Sequence, residues 1–278
     1  MRRPEMLVRT DHYTEGVVVD ADGAIFFSMT RTGAISTFRP GDRAAVVWAY
    51  VPAANGHKID ADGAHVVASS AGSIVTLDAG GRTSGVVAVQ VDGRWLTYPN
   101  DLTLDPARGG FYATDSGYKT TPKTTPADPQ GRVYRADGGG AVREVANGLA
   151  YANGIALAPD GRSLYVGESV TGRIWTYAVR DDGSLGERSL FAEVPSDARA
   201  SIVPDGITIG PDARVYVAHY GAREVLAYDR DGRPAERFDA GNRATSHVAF
   251  APNGRTMYVS GGVEDEAGAG AIFAVSLS

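Results

Sequence analysis

Glu15, Asn55, Asn100, Asn153, Asp205 and Ser246 each stand five positions ahead of a tight turn, and each opens a short apolar run: Glu15 leads GVVVDADG, Asn153 leads GIALAPDG and Asp205 leads GITIGPDA. The set holds two carboxylates, three carboxamides and one hydroxyl, with no Lys or Arg among them. Brought together, these side chains form a hard-oxygen donor set. Two carboxylates confined out of water are costly to desolvate, and a cation among them offsets that cost. Calcium, magnesium or manganese suits such donors, and zinc is open through the carboxylates. Asn55-Gly56, Asn153-Gly154 and Asp205-Gly206 can each be read as an ordinary turn dipeptide. Glu is a poor turn residue, and it is the register shared by all six positions that carries the inference.

The elements that position this set follow from its spacing. Successive positions lie 40, 45, 53, 52 and 41 residues apart, which suits a repeated four-stranded unit. Val, Ile, Phe and Tyr fill the apolar runs, and Asp-Gly, Asn-Gly or Pro-Asp-Gly separates them, as in hairpins. No stretch shows a sustained helical stripe, so helices are expected to be scarce. The expected fold is all-β: a six-bladed β-propeller of four-stranded antiparallel blades, one domain over residues 1–278. In such a ring the first strand of each blade lines the central channel, so the six residues converge at its mouth. The last unit offers three strands, at Val248–Ala251, Thr256–Ser260 and Ala271–Leu277. Met6–Asp11 is the unpaired candidate for its fourth, which would remove two exposed edges.

Composition sets the remaining bounds. The chain has no cysteine, which removes disulfides, thiolate ligands and a thiol nucleophile. With 33 acidic against 27 basic residues it is not expected to bind nucleic acid. No leader pattern and no long apolar span is present, so a soluble, cytoplasmic protein with no membrane association is expected. The oligomeric state is left open. There is no Gly-x-Ser-x-Gly elbow, P-loop, dinucleotide fingerprint or His-Glu-x-x-His motif. The Asp-x-Asp-Gly stretches at Asp20, Asp60 and Asp229 lack the closing Glu of a calcium loop and are read as turns.

The ordered set of Glu15-Gly16, Asn100 to Asp105 (NDLTLD), Phe111 to Asp115 (FYATD), Ala152 to Ala156 (ANGIA) and Pro204 to Gly206 (PDG) resembles the gluconolactonase, senescence-marker-protein and luciferin-regenerating-enzyme family of six-bladed propellers. The resemblance runs from about Thr14 to Gly262. It implies one bound divalent metal ion, calcium first among the candidates with magnesium, manganese or zinc after it, held by Glu15, Asn100, Asn153 and Asp205. It further implies hydrolysis of a lactone ring, with Asp205 doubling as the catalytic acid/base. A divalent ion can polarise the carbonyl and acidify water without a serine nucleophile, and Asp205 would move the proton.

One departure bears on substrate. Sugar-acting members carry an Arg two positions before the residue matching Asn100, and here Tyr98 stands there, followed by Pro99. The loss of a guanidinium fork points to a small-molecule substrate less polar than an aldonolactone. Tyr98, Tyr118, Tyr151 and Tyr220 are candidates for flat walls with hydroxyl handles, and Asn55, His219 and His247 for further substrate contacts. His12 and His65 read as structural. The Thr- and Pro-rich stretch Gly117 to Gly131 is a candidate lid, with Tyr118, Lys119 and Lys123 as its contacts. A non-hydrolytic isomerase or cyclase using the same metal is the alternative, and a non-catalytic binding propeller is the third reading.

Overall fold

The computed structural model describes residues 3–117, 124–195 and 203–277. Among these there is no helix. Six four-stranded antiparallel sheets follow one another round a ring, the first five running outward from the axis in chain order. Blade 1 comprises Glu15–Val19, Ile25–Met29, Ala34–Phe38 and Val46–Tyr50, and blades 2 to 5 repeat the pattern from inner strands Ala54–Ile59, Pro99–Leu104, Ala152–Leu157 and Ile207–Ile209. A small extra hairpin, Gln90–Val91 with Arg94–Trp95, was not expected from the repeat.

Blade 6 is built from both ends of the chain. Its inner strand is Ala244–Phe250, followed by Thr256–Gly262 and Gly270–Ser276, and Glu5–Thr10 pairs with the last of these as the outer strand. The expected closure is present, with the inner strand beginning four residues earlier than its apolar run suggests. That extension is polar, and backbone pairing carries it: Ala244 opposes Gly262 and Thr245 opposes Gly261.

The hydrophobic core consists of slabs, one between each neighbouring pair of blades. Between blades 1 and 2 lie Ile35, Ala49, Val67 and Leu77; between blades 3 and 4 lie Tyr112, Val133, Leu149, Ile155 and Leu164. A strand in the middle of a blade is therefore covered on both faces. This is why Ile25–Met29 and His65–Ser69 are buried throughout and do not alternate between buried and exposed. Turn chemistry accounts for the Asp-x-Asp-Gly stretches: Asp20 Oδ1 accepts from Asp22 N at 3.0 Å and Ala24 N at 2.7 Å, and Asp60 and Asp229 do the same in their own turns. Those carboxylates are satisfied by their own backbone.

Inner strands do not pair evenly with their neighbours. Register shifts fall between Glu15 and Val18, Ala54 and His57, Pro99 and Leu102, and Ala152 and Ile155. Each shift is a bulge at the residue that faces the mouth, and a bulge re-aims side chains out of the ordinary pleat. Gly16, at φ +48°, packs so closely on the next blade that a Cβ would overlap the Asn55 carbonyl.

Candidate functional site

Turned by these bulges, Glu15, Asn55, Asn100 and Asn153, together with Asp205 just ahead of Ile207–Ile209, line one cavity of about 360 Å³ at the channel mouth. Ser246 does not line the cavity: its hydroxyl interacts with the Glu15 side chain and lies 2.8 Å from the Thr14 carbonyl and 2.8 Å from Ser260 Oγ, tying blade 6 to blade 1. A larger cleft of about 610 Å³ lies elsewhere, lined by His219, Arg223, Glu224, Arg237 and Arg243. The donor ring is in the smaller one.

Serines orient two of the carboxamides. Asn55 Nδ2 donates to Ser70 Oγ at 3.1 Å, and Ser70 Oγ in turn donates to the Pro99 carbonyl of the next blade at 3.1 Å. Asn100 Nδ2 donates to Ser116 Oγ at 3.2 Å, and that hydroxyl donates to Ala152 O at 2.8 Å. A hydroxyl has one proton, and here the carbonyl receives it, so the serine can only accept from the amide. Each amide nitrogen must therefore point outward and each amide oxygen toward the axis. Asn153 donates its amide to Asp205, and its Oδ1 is buried with no hydrogen-bond partner among the described residues.

The carboxylates are under electrostatic stress. Burial pushes Glu15 up to about 8, with the charge of Asp101 adding to the rise and a 3.0 Å hydrogen bond from the Tyr13 hydroxyl opposing it. Asp205 is held well above the ordinary carboxylate range by burial first and by the charge of Glu15 second. Among the described residues, no three His, Asp or Glu side chains gather to hold a metal. The ring instead sets two uncompensated carboxylates beside inward amide oxygens, one of them an orphan acceptor. That donor set fits a hard divalent cation, which would satisfy the orphan oxygen and relieve the repulsion together.

Tyrosines wall the cavity, and the repeat places three of them. Tyr13, Tyr98 and Tyr151 each stand two positions before Glu15, Asn100 and Asn153, and Tyr220 completes the wall from the end of a second strand. The Tyr98 and Tyr151 rings lie 6.4 Å apart between centroids. Tyr151 has φ +71°, a left-handed conformation that costs a bulky residue about 1–2 kcal/mol and is retained where the surroundings fix it. Its backbone is held by Tyr151 N to Leu149 O and by Ser169 N to Tyr151 O.

Of the other residues singled out from sequence, His247 lies at the axis beside Asp101, outside the cavity lining, and His219 belongs to the larger cleft. Tyr118, Lys119 and Lys123 lie outside the described residues. The orienting serines escaped the sequence reading, although Ser70 and Ser116 fall 15 and 16 positions after their asparagines. So did Thr30, Arg31, Glu266 and Ala267 on the rim. There Arg31 Nη1 reaches the Ala267 carbonyl at 3.4 Å, a contact across 236 residues that no local pattern announces. No helix among the described residues is long and apolar enough to cross a membrane.

Fold and site together define a six-bladed propeller with a hard-oxygen ring at its channel mouth. The chain belongs to the family described as the SMP-30/Gluconolactonase/LRE-like region, whose model matches residues 10–262. It is 34% identical over 136 residues to lactonase drp35 of Staphylococcus haemolyticus, covering 49% of this chain and 39% of that protein. Against a gluconolactonase of Zymomonas mobilis it is 28% identical over 225 residues, covering 75% of this chain and 61% of that one. The chain thus spans about half the length of the curated relatives it matches. A solved gluconolactonase from Xanthomonas campestris superposes with a TM-score of 0.81 at 24% identity, over 98% of this chain and 89% of that one. A luciferin-regenerating enzyme superposes with a TM-score of 0.80 at 18% identity, over 99% and 95%. These structural likenesses establish the shared fold.

Proposed function

We propose that the protein hydrolyses a lactone, or a related cyclic ester, at the channel mouth with one divalent cation held by Glu15, Asn100, Asn153 and Asp205. The observation that carries this reading is the pair of buried, uncompensated carboxylates beside inward amide oxygens, in a chain whose matched relatives include named lactonases. When bound, the cation supplies Lewis-acid polarisation of the ester carbonyl and makes water more acidic. Calcium suits the oxygen donors first, with magnesium, manganese and zinc behind it.

The chain's own residues do the rest. Asp205 takes a proton from the attacking water as its oxygen bonds to the acyl carbon, and returns it to the ring oxygen as the C–O bond breaks. The product is an open hydroxy acid. Asn55 and the Tyr13 hydroxyl stand beside the reacting centre as hydrogen-bonding groups, while Tyr98, Tyr151 and Tyr220 flank the substrate and exclude water. With Tyr98 on the wall and Arg31 the only cation among the described lining residues, a lactone with a flat, weakly polar body fits better than a polyhydroxylated one.

Elemental analysis of the purified protein, beside a lactone panel assayed with and without chelator, tests this. About one divalent ion per chain and chelator-sensitive opening to a hydroxy acid support it. A metal-free protein that gains no thermal stability from any divalent ion overturns it, and a product of unchanged mass would assign an isomerase instead.

A further inference from the structure

The residue following each mouth residue forms a second tier, just below the donor ring. It reads Gly16, Gly56, Asp101, Gly154, Gly206 and His247 round the six blades. At the four glycines, neighbouring backbones approach so closely that any Cβ would collide with the next blade. The two exceptions come from blades 3 and 6, which face each other across the ring. Their side chains meet on the axis: His247 Nε2 lies 3.3 Å from Asp101 Oδ2. Lys58, three positions after Asn55 on the inner strand of blade 2, completes the cluster with Nζ 3.6 Å from Asp101 Oδ1 and 3.4 Å from His247 Nε2.

Asp101 is the hub of this tier. It is 2% exposed, accepts from Leu102 N at 2.8 Å and from Ile155 N of blade 4 at 3.2 Å, and sits where Gly56 leaves room for it. The His247 ring in turn occupies the space left by Gly206 of blade 5. Groups from blades 2, 3, 4 and 6 thus converge on one carboxylate, that of the residue following Asn100. Its charge acts on both Glu15 and Asp205, and the ammonium of Lys58 stands against that charge.

We propose that Lys58, Asp101 and His247 form an ionic floor across the axis, and that Lys58 sets the affinity of the donor ring for its divalent cation by cancelling the charge of Asp101. Lys58 is a positioning residue here: it touches neither substrate nor cation. The inference rests on the proposed cation at Glu15, Asn100, Asn153 and Asp205. A floor that matters only for packing gives weaker binding whichever member is removed, whereas an electrostatic floor gives effects of opposite sign.

Calorimetric titration of calcium into chelator-treated protein at pH 8.5, where imidazoles are neutral, separates the two. Lys58→Met is expected to bind about tenfold tighter than wild type and Asp101→Asn about tenfold weaker. The double variant, with the net charge of the floor restored, is expected within about threefold of wild type. Should Lys58→Met alone fail to fold by circular dichroism, comparing Asp101→Asn with the double variant isolates the same charge, the double being the tighter. Wild type that binds calcium while removal of the Lys58 charge weakens or leaves the affinity unchanged overturns the floor alone. Wild type that binds no divalent ion overturns the cation site and the floor with it.

Discussion

Two groups of buried carboxylates in this molecule are treated in opposite ways. Asp105, fully buried at the end of the inner strand of blade 3, lies 3.3 Å from Arg108 and 3.4 Å from Arg135. Arg135 also donates to the carbonyls of Phe111, Gly109 and Ala136 and stacks 4.9 Å from the Tyr112 ring. Among the described residues, Glu15 and Asp205 have no such cation, and they face each other's charge. A compensated carboxylate ties elements together; an uncompensated pair stores free energy that only a ligand or a proton can release. Burial alone therefore does not mark a site, and lack of compensation does.

The contrast can be broken from either side. Asp205→Ala is expected to lower lactone turnover by about 10²–10⁴-fold while the protein stays folded, measured as kcat beside circular dichroism. Asp105→Ala is expected to do the reverse: a loss of about 3–5 kcal/mol in denaturant unfolding, because the buried Arg135 guanidinium is left without its carboxylate while Arg108 is partly exposed, with activity per folded molecule retained. If Asp105→Ala were as stable as wild type, the compensated carboxylate would not hold the strands of blade 3 together.

Smaller changes sharpen the comparison. Glu15→Gln is expected to stabilise the chelator-treated protein by on the order of 1 kcal/mol, by removing half of the repulsion, while abolishing cation uptake. The same stress predicts a pH trend with a definite sign. Glu15 sits at about 8 in the folded chain against an ordinary 4.5, so the folded form keeps a proton that the unfolded form releases. Its contribution to stability is complete below the ordinary carboxylate range and is lost as pH rises through about 8. Denaturant midpoints from pH 5 to 9 in chelator, wild type minus Glu15→Gln, measure it; saturating divalent cation is expected to remove the decline. The smallest effect belongs to Ser116→Ala. It frees the Asn100 amide at a cost of about 0.5–1.5 kcal/mol in stability and weakens cation binding several-fold, read by the same calorimetry.

Much of this architecture is legible in the sequence because propeller blades are local objects. Asp20-x-Asp-Gly and Pro159-Asp160-Gly161 turns announce hairpins within a few residues, and a recurring donor such as Glu15, Asn100 or Asn153 announces the axis. The closing strand was readable because the last unit is one strand short. What the sequence hides is decided across blades. The bulges that turn Asn55 and Asn153 inward leave no trace in hydrophobic pattern, since the displaced residues are polar or glycine. Arg31 meets Ala267, and Asp101 meets His247, only after the ring has formed. Ser70 and Ser116 look like ordinary strand-end serines until their hydrogen bonds to the following blade are seen.

Pairing of Glu5–Thr10 with Gly270–Ser276 has a consequence for how the protein is made. The outer strand of blade 6 is made before every other strand of the ring, and its partner follows more than 250 residues later. Contacts of such separation form late. Until then the blades form an open arc in which Glu5–Thr10 lacks its partner, a state in which edge pairing with another chain competes with closure. Glu5 and Arg9, both exposed on that strand, are charges of the kind that disfavour such edge pairing.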